Sequence, residues 1–256
     1  MNPVAETGAP LANPWREGLH HIGNSTHWIV LEGVRIVTDP WLGEPADGLL
    51  HHSTPPSPLP REPDVVLVTH AHEDHFDPLA LRRLSPLAAV LVPTAAMARA
   101  VRALGFGEVH VVTPGQRLGS LRGLTIDVVR GRHTVREVCY RVARKGRAFF
   151  FAGDSKLTPE IEAVARAGDT PFVVLPGERS RLFGRRVGMS PEEAIALAGR
   201  FGARRAVLSH HEHRATAPAP WRWIVRVPPV DPAEFPPWFT VPKPGEHVAF
   251  PWEAPS

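Results

Sequence analysis

Apolar and polar positions along the chain alternate in two successive stretches of short β-rich runs and amphipathic helical segments. Trp28 to Glu32 and Val34 to Thr38, β-branched and aromatic and parted by Gly33, predict a hairpin, and Val65 to Thr69 predicts the next strand. Pro78 suits the first turn of a helix running to about Leu84 with Asp77 as its cap. Val90 to Pro93 then reads as a strand, and Thr94 opens a helix through about Leu104. The pattern restarts with β in Glu108 to Val112, Leu124 to Val129, Glu137 to Arg144 and Ala148 to Ala152. Thr158-Pro159 opens a helix to about Ala167, and the capping box Ser190-Pro191-Glu192-Glu193 opens another to about Phe201. Phe172 to Leu175 and Ala206 to Ser209 are the buried strands that accompany them. Two mixed halves whose strands end in polar residues imply an α/β fold, with sheets covered by helices on their outer faces.

At 256 residues the chain is long enough for one large core, and a single domain over 1–256 is expected, with a proline-rich tail from about residue 214. Prolines gather in 40–63 and 218–255, which predicts extended or irregular segments there. One cysteine, Cys139, excludes a disulfide framework and a thiolate-rich zinc cluster, so any metal must be held by histidine and carboxylate. The first residues lack the basic segment and apolar core of a secretory signal, and no apolar run reaches membrane-spanning length. The expectation is therefore a cytoplasmic protein with no membrane span. A pI near 9.6 suggests nucleic acid, but the net charge is only +3 and the arginines are scattered, so a nucleic-acid partner is disfavoured. The oligomeric state is left open.

Candidate chemistry concentrates where the strand Val65 to Thr69 stops, in His70-Ala71-His72-Glu73-Asp74-His75. Residues 70 and 72 share a face if the backbone is extended, while Asp74 and His75 turn the other way as the chain bends toward a helix. One short loop could thus feed two adjacent metal ions, since neutral imidazole is the commonest protein metal ligand. Fourteen histidines must sit somewhere, and His20, His21, His51, His52, His211 and His213 read as unremarkable surface residues. Asp39, before Pro40 at a strand end, reads as the acceptor for a ligating imidazole's other ring nitrogen.

His70, His72, Asp74 and His75 resemble the first signature of the metallo-β-lactamase fold hydrolases. The resemblance implies a four-layer αββα sandwich. It also implies further ligands in order: His133 in RGRHT, Asp154 in FFFAGDS, and His210 in AVLSHHEH. The closer likeness, from about Gly23 to about His210, is to the branch of ascorbate-phosphate lactonases and N-acyl-phosphatidylethanolamine phospholipase D. It is carried by GNST with GVRIVTDPWL, PDVVLVTHAHEDHFD, YRVARKGRAFFFAGDS and MSPEEAIALAGRFGARRAVLSHHEH. Two departures are Asn24, where many relatives carry histidine, and SHHEHR, where relatives often show an aromatic residue and glycine after the ligand. The second leaves His210 and His211 as alternatives, with His210 taken.

The resemblance implies two divalent ions, with His70, His72 and His133 on one, Asp74, His75 and His210 on the other, and Asp154 between. Zinc is the first expectation, and iron or manganese also suits such ligands. A metal-bound hydroxide would attack a carbonyl or phosphoryl centre, with Asp74 and Asp154 as catalytic residues. Trp41, Arg185 and Arg186, in the two flanking loops, are candidate contacts for a small, anionic substrate. The expected activity is hydrolysis of a small ester-like substrate, a phosphodiester or phosphorylated lactone. A nucleic-acid-processing hydrolase and a non-catalytic metal- or partner-binding protein on the same fold are the alternatives.

Overall fold

The computed structural model of the protein describes residues 15–43, 50–179, 181–182, 184–186, 188–215, 225–226 and 228–252. Two seven-stranded sheets dominate. The first runs in the order His247–Val248, Gly18–Gly23, Thr26–Leu31, Val34–Thr38, Val65–Leu67, Ala89–Val92 and Glu108–Val111. The second runs Phe239–Thr240, Arg205–Ser209, Phe172–Pro176, Arg147–Phe151, Val138–Arg144, Leu124–Arg130 and Arg117–Leu121.

The apolar runs are nearly continuous because these strands are buried on both faces. Val65 and Leu67 enter the cluster shared by both sheets, with Ile126, Tyr140, Phe149, Phe151 and Val174 from the second sheet, while Val66 points outward. Phe150, Val173 and Leu175 likewise leave the second sheet on its other side. The outward residues are covered by helices: Met97, Ala98 and Val101 on Val66 and Val90, and Ile161, Ala165, Ala194 and Leu197 on Phe150 and Val173. Helix, sheet, sheet and helix make the four layers.

Helix boundaries follow local chemistry. Thr94 accepts from the Met97 N–H at 3.2 Å to open Ala95–Ala103. Thr158 opens Pro159–Ala167, and Ser190 with Glu193 forms the capping box of Pro191–Arg200. The helix capped by Asp77 is shorter than its sequence predicts, Pro78–Leu81, and the chain continues in tighter turns, the Arg83 N–H donating to the Ala80 carbonyl at 3.1 Å and the Leu84 N–H to the Leu81 carbonyl at 3.0 Å.

One correction concerns strands. Gly18–Gly23 and Arg117–Leu121 carry polar and glycine residues and gave no strand signal, yet each is held by pairing with a neighbour. The proline-rich segments are extended in part, as their sequence predicts, and the extended pieces pair: Leu50–His52 with His213–Ala215, and the tail's Phe239–Thr240 and His247–Val248 as edge strands. Among the described residues no helix is long and apolar enough to cross a membrane.

Within each sheet an antiparallel meander leads into parallel strands, Val34–Thr38, Val65–Leu67 and Ala89–Val92 in one, Arg147–Phe151, Phe172–Pro176 and Arg205–Ser209 in the other. Parallel strands place their carboxyl ends on one edge, where α/β sheets commonly bind ligands. Asp39, His70, Asp154, Glu178 and His210 all follow such ends.

Candidate metal centre

After Val65–Leu67 the chain turns tightly, the His72 carbonyl accepting from the N–H groups of His75 and Phe76 at 3.0 and 2.9 Å. This turn buries Asp74 and His75 and leaves His72 partly exposed. His133 arrives from the loop between the second sheet's hairpin strands Leu124–Arg130 and Val138–Arg144, Asp154 follows Arg147–Phe151, and His210 follows Arg205–Ser209.

The predicted ligands come together in two groups. In one, His70 Nε2 and His133 Nε2 lie 3.0 and 3.1 Å from His72 Nδ1, and both are 3.9 Å from Asp154 Oδ2. In the other, Asp74 Oδ2 lies 2.9 Å from His210 Nε2 and 3.5 Å from His75 Nε2. Asp154 Oδ2 is 3.2 Å from each of those same two nitrogens, so this carboxylate stands between the groups. Within each group the ligand atoms lie within 4.8 Å of one another. His211 points elsewhere, its Nε2 donating to the Pro242 carbonyl at 3.0 Å.

The donor set fits a pair of divalent cations. Among the described residues every ion pair of Asp39, Asp74, Glu137 and Asp154 is with a histidine, and no lysine or arginine reaches these buried acids. Asp154 Oδ1 is buried without a hydrogen-bond partner. A buried carboxylate cluster of this kind costs several kcal/mol per ion unless positive charge is supplied.

Protonation in the metal-free protein divides along the two groups. Burial lowers His70 well below its usual value, lowers His72, and brings His133 down to about 4. Burial acts the same way on His75 and His210, but Asp154 and the other facing carboxylates outweigh it and hold both well above the usual imidazole range. Asp74 and Asp154 are depressed despite their burial by the His75 and His210 charges.

Behind the converging atoms stands a set of buried carboxylates. Asp39 accepts from the Thr69 N–H and hydroxyl at 2.7 Å each and faces His75 Nδ1 at 2.8 Å. Glu137 accepts the Asp154 N–H at 2.8 Å and lies 3.4 Å from His70 Nδ1. Glu178 lies 3.3 Å from His210 Nδ1. Such acceptors fix the tautomer and orientation of ligating imidazoles. Sequence reasoning found Asp39 and missed Glu137, Glu178 and Asn24, whose Nδ2 donates to Asp74 Oδ2 at 3.4 Å. For Glu178 the signal was present: an acid just past a buried apolar strand, as at Asp39.

Room for these acids comes from glycine. A Cβ at Gly153 would lie 2.8 Å from Glu137 Oε1 and 2.9 Å from Thr69 Cβ, and one at Gly188 would lie 2.3 Å from a Glu178 oxygen. The backbone is also strained here, with Asn24, Asp39 and His210 at φ of 51°, 34° and 58°.

On the substrate side, Trp41 is buried and stacks on His52 with ring centroids 3.9 Å apart. Arg185 pairs through its backbone with Leu182, and its side chain lies outside the described residues. Arg186 is exposed, donates to Glu193 at 2.9 Å, and lines a cavity of about 540 Å³ with Arg132, Lys156 and Arg200. Arg132 precedes His133 and Lys156 lies two residues past Asp154, and the Lys156 N–H donates to the Arg132 carbonyl at 3.1 Å, so this wall adjoins the centre.

The family described as the beta-lactamase superfamily domain matches residues 34–211. A UPF0173 metal-dependent hydrolase of Methanopyrus kandleri is 26% identical over 186 residues, covering 68% of this chain and 74% of that protein. Among solved structures, the isothiocyanate hydrolase from Delia radicum gut bacteria aligns with a TM-score of 0.70 at 19% identity, over 91% of this chain and 98% of that one. Igni18, a metallo hydrolase from the archaeon Ignicoccus hospitalis, aligns with a TM-score of 0.68 at 23% identity, over 92% and 98%. These two structures share the fold.

Proposed function

The chain belongs to the beta-lactamase superfamily and is a metal-dependent hydrolase, and from that premise we propose that it uses two divalent ions to hydrolyse a small, anionic ester-like substrate, a phosphodiester or phosphorylated lactone. The observation that carries the reading is Asp154, whose Oδ2 lies 3.2 to 3.9 Å from four imidazoles of two ligand groups. His70, His72 and His133 would hold one ion, Asp74, His75 and His210 the other, with Asp154 shared. Bound there, the ions would supply a water acidified toward neutral pH and a Lewis acid for the oxygen on which charge develops. Zinc suits five imidazoles and two carboxylates, as do iron and manganese.

The chain's own groups do the positioning. Asp74, buried and held by Asn24 and His210, is the acceptor that orients an attacking water. Asp39, Glu137 and Glu178 keep the imidazoles in one tautomer, so little reorganisation is needed when the reacting groups meet. The anionic preference rests on the cavity wall: Arg186 is engaged by Glu193 and Arg200 by Glu162, while the Arg132 guanidinium has no ion pair among the described residues.

Asp154→Ala should lower kcat on the order of 10³-fold with a much smaller change in KM. In the same assays His72→Ala should lower the metal content of the purified protein. Unchanged turnover in a folded Asp154→Ala protein would sink the two-ion reading. Arg132→Ala should raise KM for bis(p-nitrophenyl) phosphate and leave p-nitrophenyl acetate nearly unaffected, and equal losses on both would remove the anionic preference.

A further inference from the structure

We propose that His21, His211 and Glu212 form a third divalent-cation site, separate from the pair above, that staples the first sheet to the loop carrying His210. The sequence reads His21 and His211 as surface residues, and the structure corrects this for His21, which is 0% exposed; His211 is half-buried and Glu212 beside it 7% exposed. His21 lies in Gly18–Gly23, buried along its whole length, while His211 and Glu212 follow Arg205–Ser209 in the opposite sheet. His211 and Glu212 are also the two residues by which SHHEHR departs from the aromatic-glycine pair of the family it resembles.

The geometry has the features of the main centre. The three residues each offer a ligand atom, and these atoms lie within 4.8 Å of one another, as do those of the His70, His72, His133 and Asp154 group. His21 Nε2 is 2.6 Å from Glu212 Oε2, and the His211 ring stacks on His21 at 5.6 Å between centroids. A carbonyl oxygen only accepts, so the contact of His211 Nε2 with Pro242 places its proton on Nε2 and leaves Nδ1 as the nitrogen able to ligate. His27, paired in register with His21 across the ladder, meets its Nδ1 at 3.1 Å and stands behind it as Asp39 stands behind His75.

Charge points the same way. Among the described residues the ion pair of Glu212 is with His21, and no described lysine or arginine side chain forms one with this carboxylate. Two imidazoles and a carboxylate are the donor set of open three-ligand zinc sites, in which water completes the coordination. The ligands come from positions 190 and 191 residues apart, so one ion would tie the two sheets together. It would do so beside His210, whose left-handed backbone needs to be held.

The test uses the full chain, saturated with zinc, desalted and analysed for metal by mass spectrometry. Three ions per chain are expected in the wild type and two in each of Glu212→Gln and His211→Phe, the phenyl ring keeping the stack. Titration of the metal-free proteins with cobalt(II), followed by visible absorption, should show one fewer equivalent in the same two variants. His72→Ala separates this site from the catalytic pair, because the third ion should survive it. Two ions in the wild type, with no loss in either folded variant, would overturn the third site and leave the pair standing. A wild type holding a single ion that Glu212→Gln removes would support this site and overturn the pair.

Discussion

In the first sheet one loop after Val65–Leu67 delivers His70, His72, Asp74 and His75 within six residues, whereas the second sheet delivers His133, Asp154 and His210 from three separate loops. The first arrangement is set locally, by the turn closed on the His72 carbonyl and by Asp39 from the adjacent strand. The second has no local turn to set spacing, so it depends on acids placed by tertiary structure, Glu137 on the Asp154 backbone and Glu178 on His210. Ligands close in sequence share the geometry of one turn, whereas Asp154 and His210, far apart, are each held by a separate acid.

The sharpest way to break this contrast is to remove Asp39, the acid that ties the first loop to the adjacent strand. Asp39→Ala leaves the Thr69 N–H and hydroxyl and the His75 Nδ1 without their common acceptor in a fully buried site. Breaking such a pair costs about 3 to 5 kcal/mol, and loss of the orienting acceptor about 10- to 100-fold in metal affinity. Denaturant unfolding and metal competition would measure both. A loss no larger than that of Glu178→Gln would mean that the loop sets its own geometry.

Gly153→Ala tests the second sheet. At φ +60° alanine is strained, and its Cβ meets Thr69 and Glu137, so about 1 to 3 kcal/mol of stability should be lost. Asp154 would shift with it, and kcat should fall more than stability alone explains. Normal turnover in a destabilised variant would show that the Asp154 carboxylate finds its place without this backbone.

Glu178→Gln should be milder. The amide keeps the shape and one acceptor oxygen facing His210 Nδ1, so stability should change by under about 1 kcal/mol and metal affinity by about tenfold. A spectroscopic titration with cobalt(II) would detect the altered environment. An unchanged titration would confine the role of Glu178 to packing against Gly188.

What the sequence discloses follows the same division. The loop 70–75 is legible because its chemistry is contiguous, and the alternating strands and capped helices are legible because period and caps are local. His133, Asp154 and His210 became candidates through a family's order of motifs, since one histidine or aspartate at a strand end says little alone. Glu137 stayed hidden because it matters through Asp154, which the next strand of the same sheet brings to it, whereas Glu178 carries a strand-end signal whose meaning depends on His210, brought by the adjacent strand. His21 was misread for a related reason: a polar strand looks exposed until its partners on both sides are known.

The smallest effect, and the one that compares the two ligand groups most directly, is the acid limb of stability in chelator-treated protein. His133 is held at about 4 by burial, against its ordinary 6.5 in the unfolded chain. Between those values the unfolded chain binds a proton that the folded one refuses, so this residue's contribution is present above pH 6.5 and is lost as pH falls toward 4. His75 and His210 run the other way: their raised values contribute stability below pH 6.5 that persists until pH rises through their folded values. His133→Gln should therefore flatten the loss of stability between pH 6.5 and 4 by at most about 1.4 kcal/mol per pH unit, while His210→Gln should remove stability at pH 6 and alter that slope little. An acid limb unchanged in the His133 variant would mean that the first group of imidazoles already carries a proton in the metal-free protein, and that the two groups do not differ in how they await their ions.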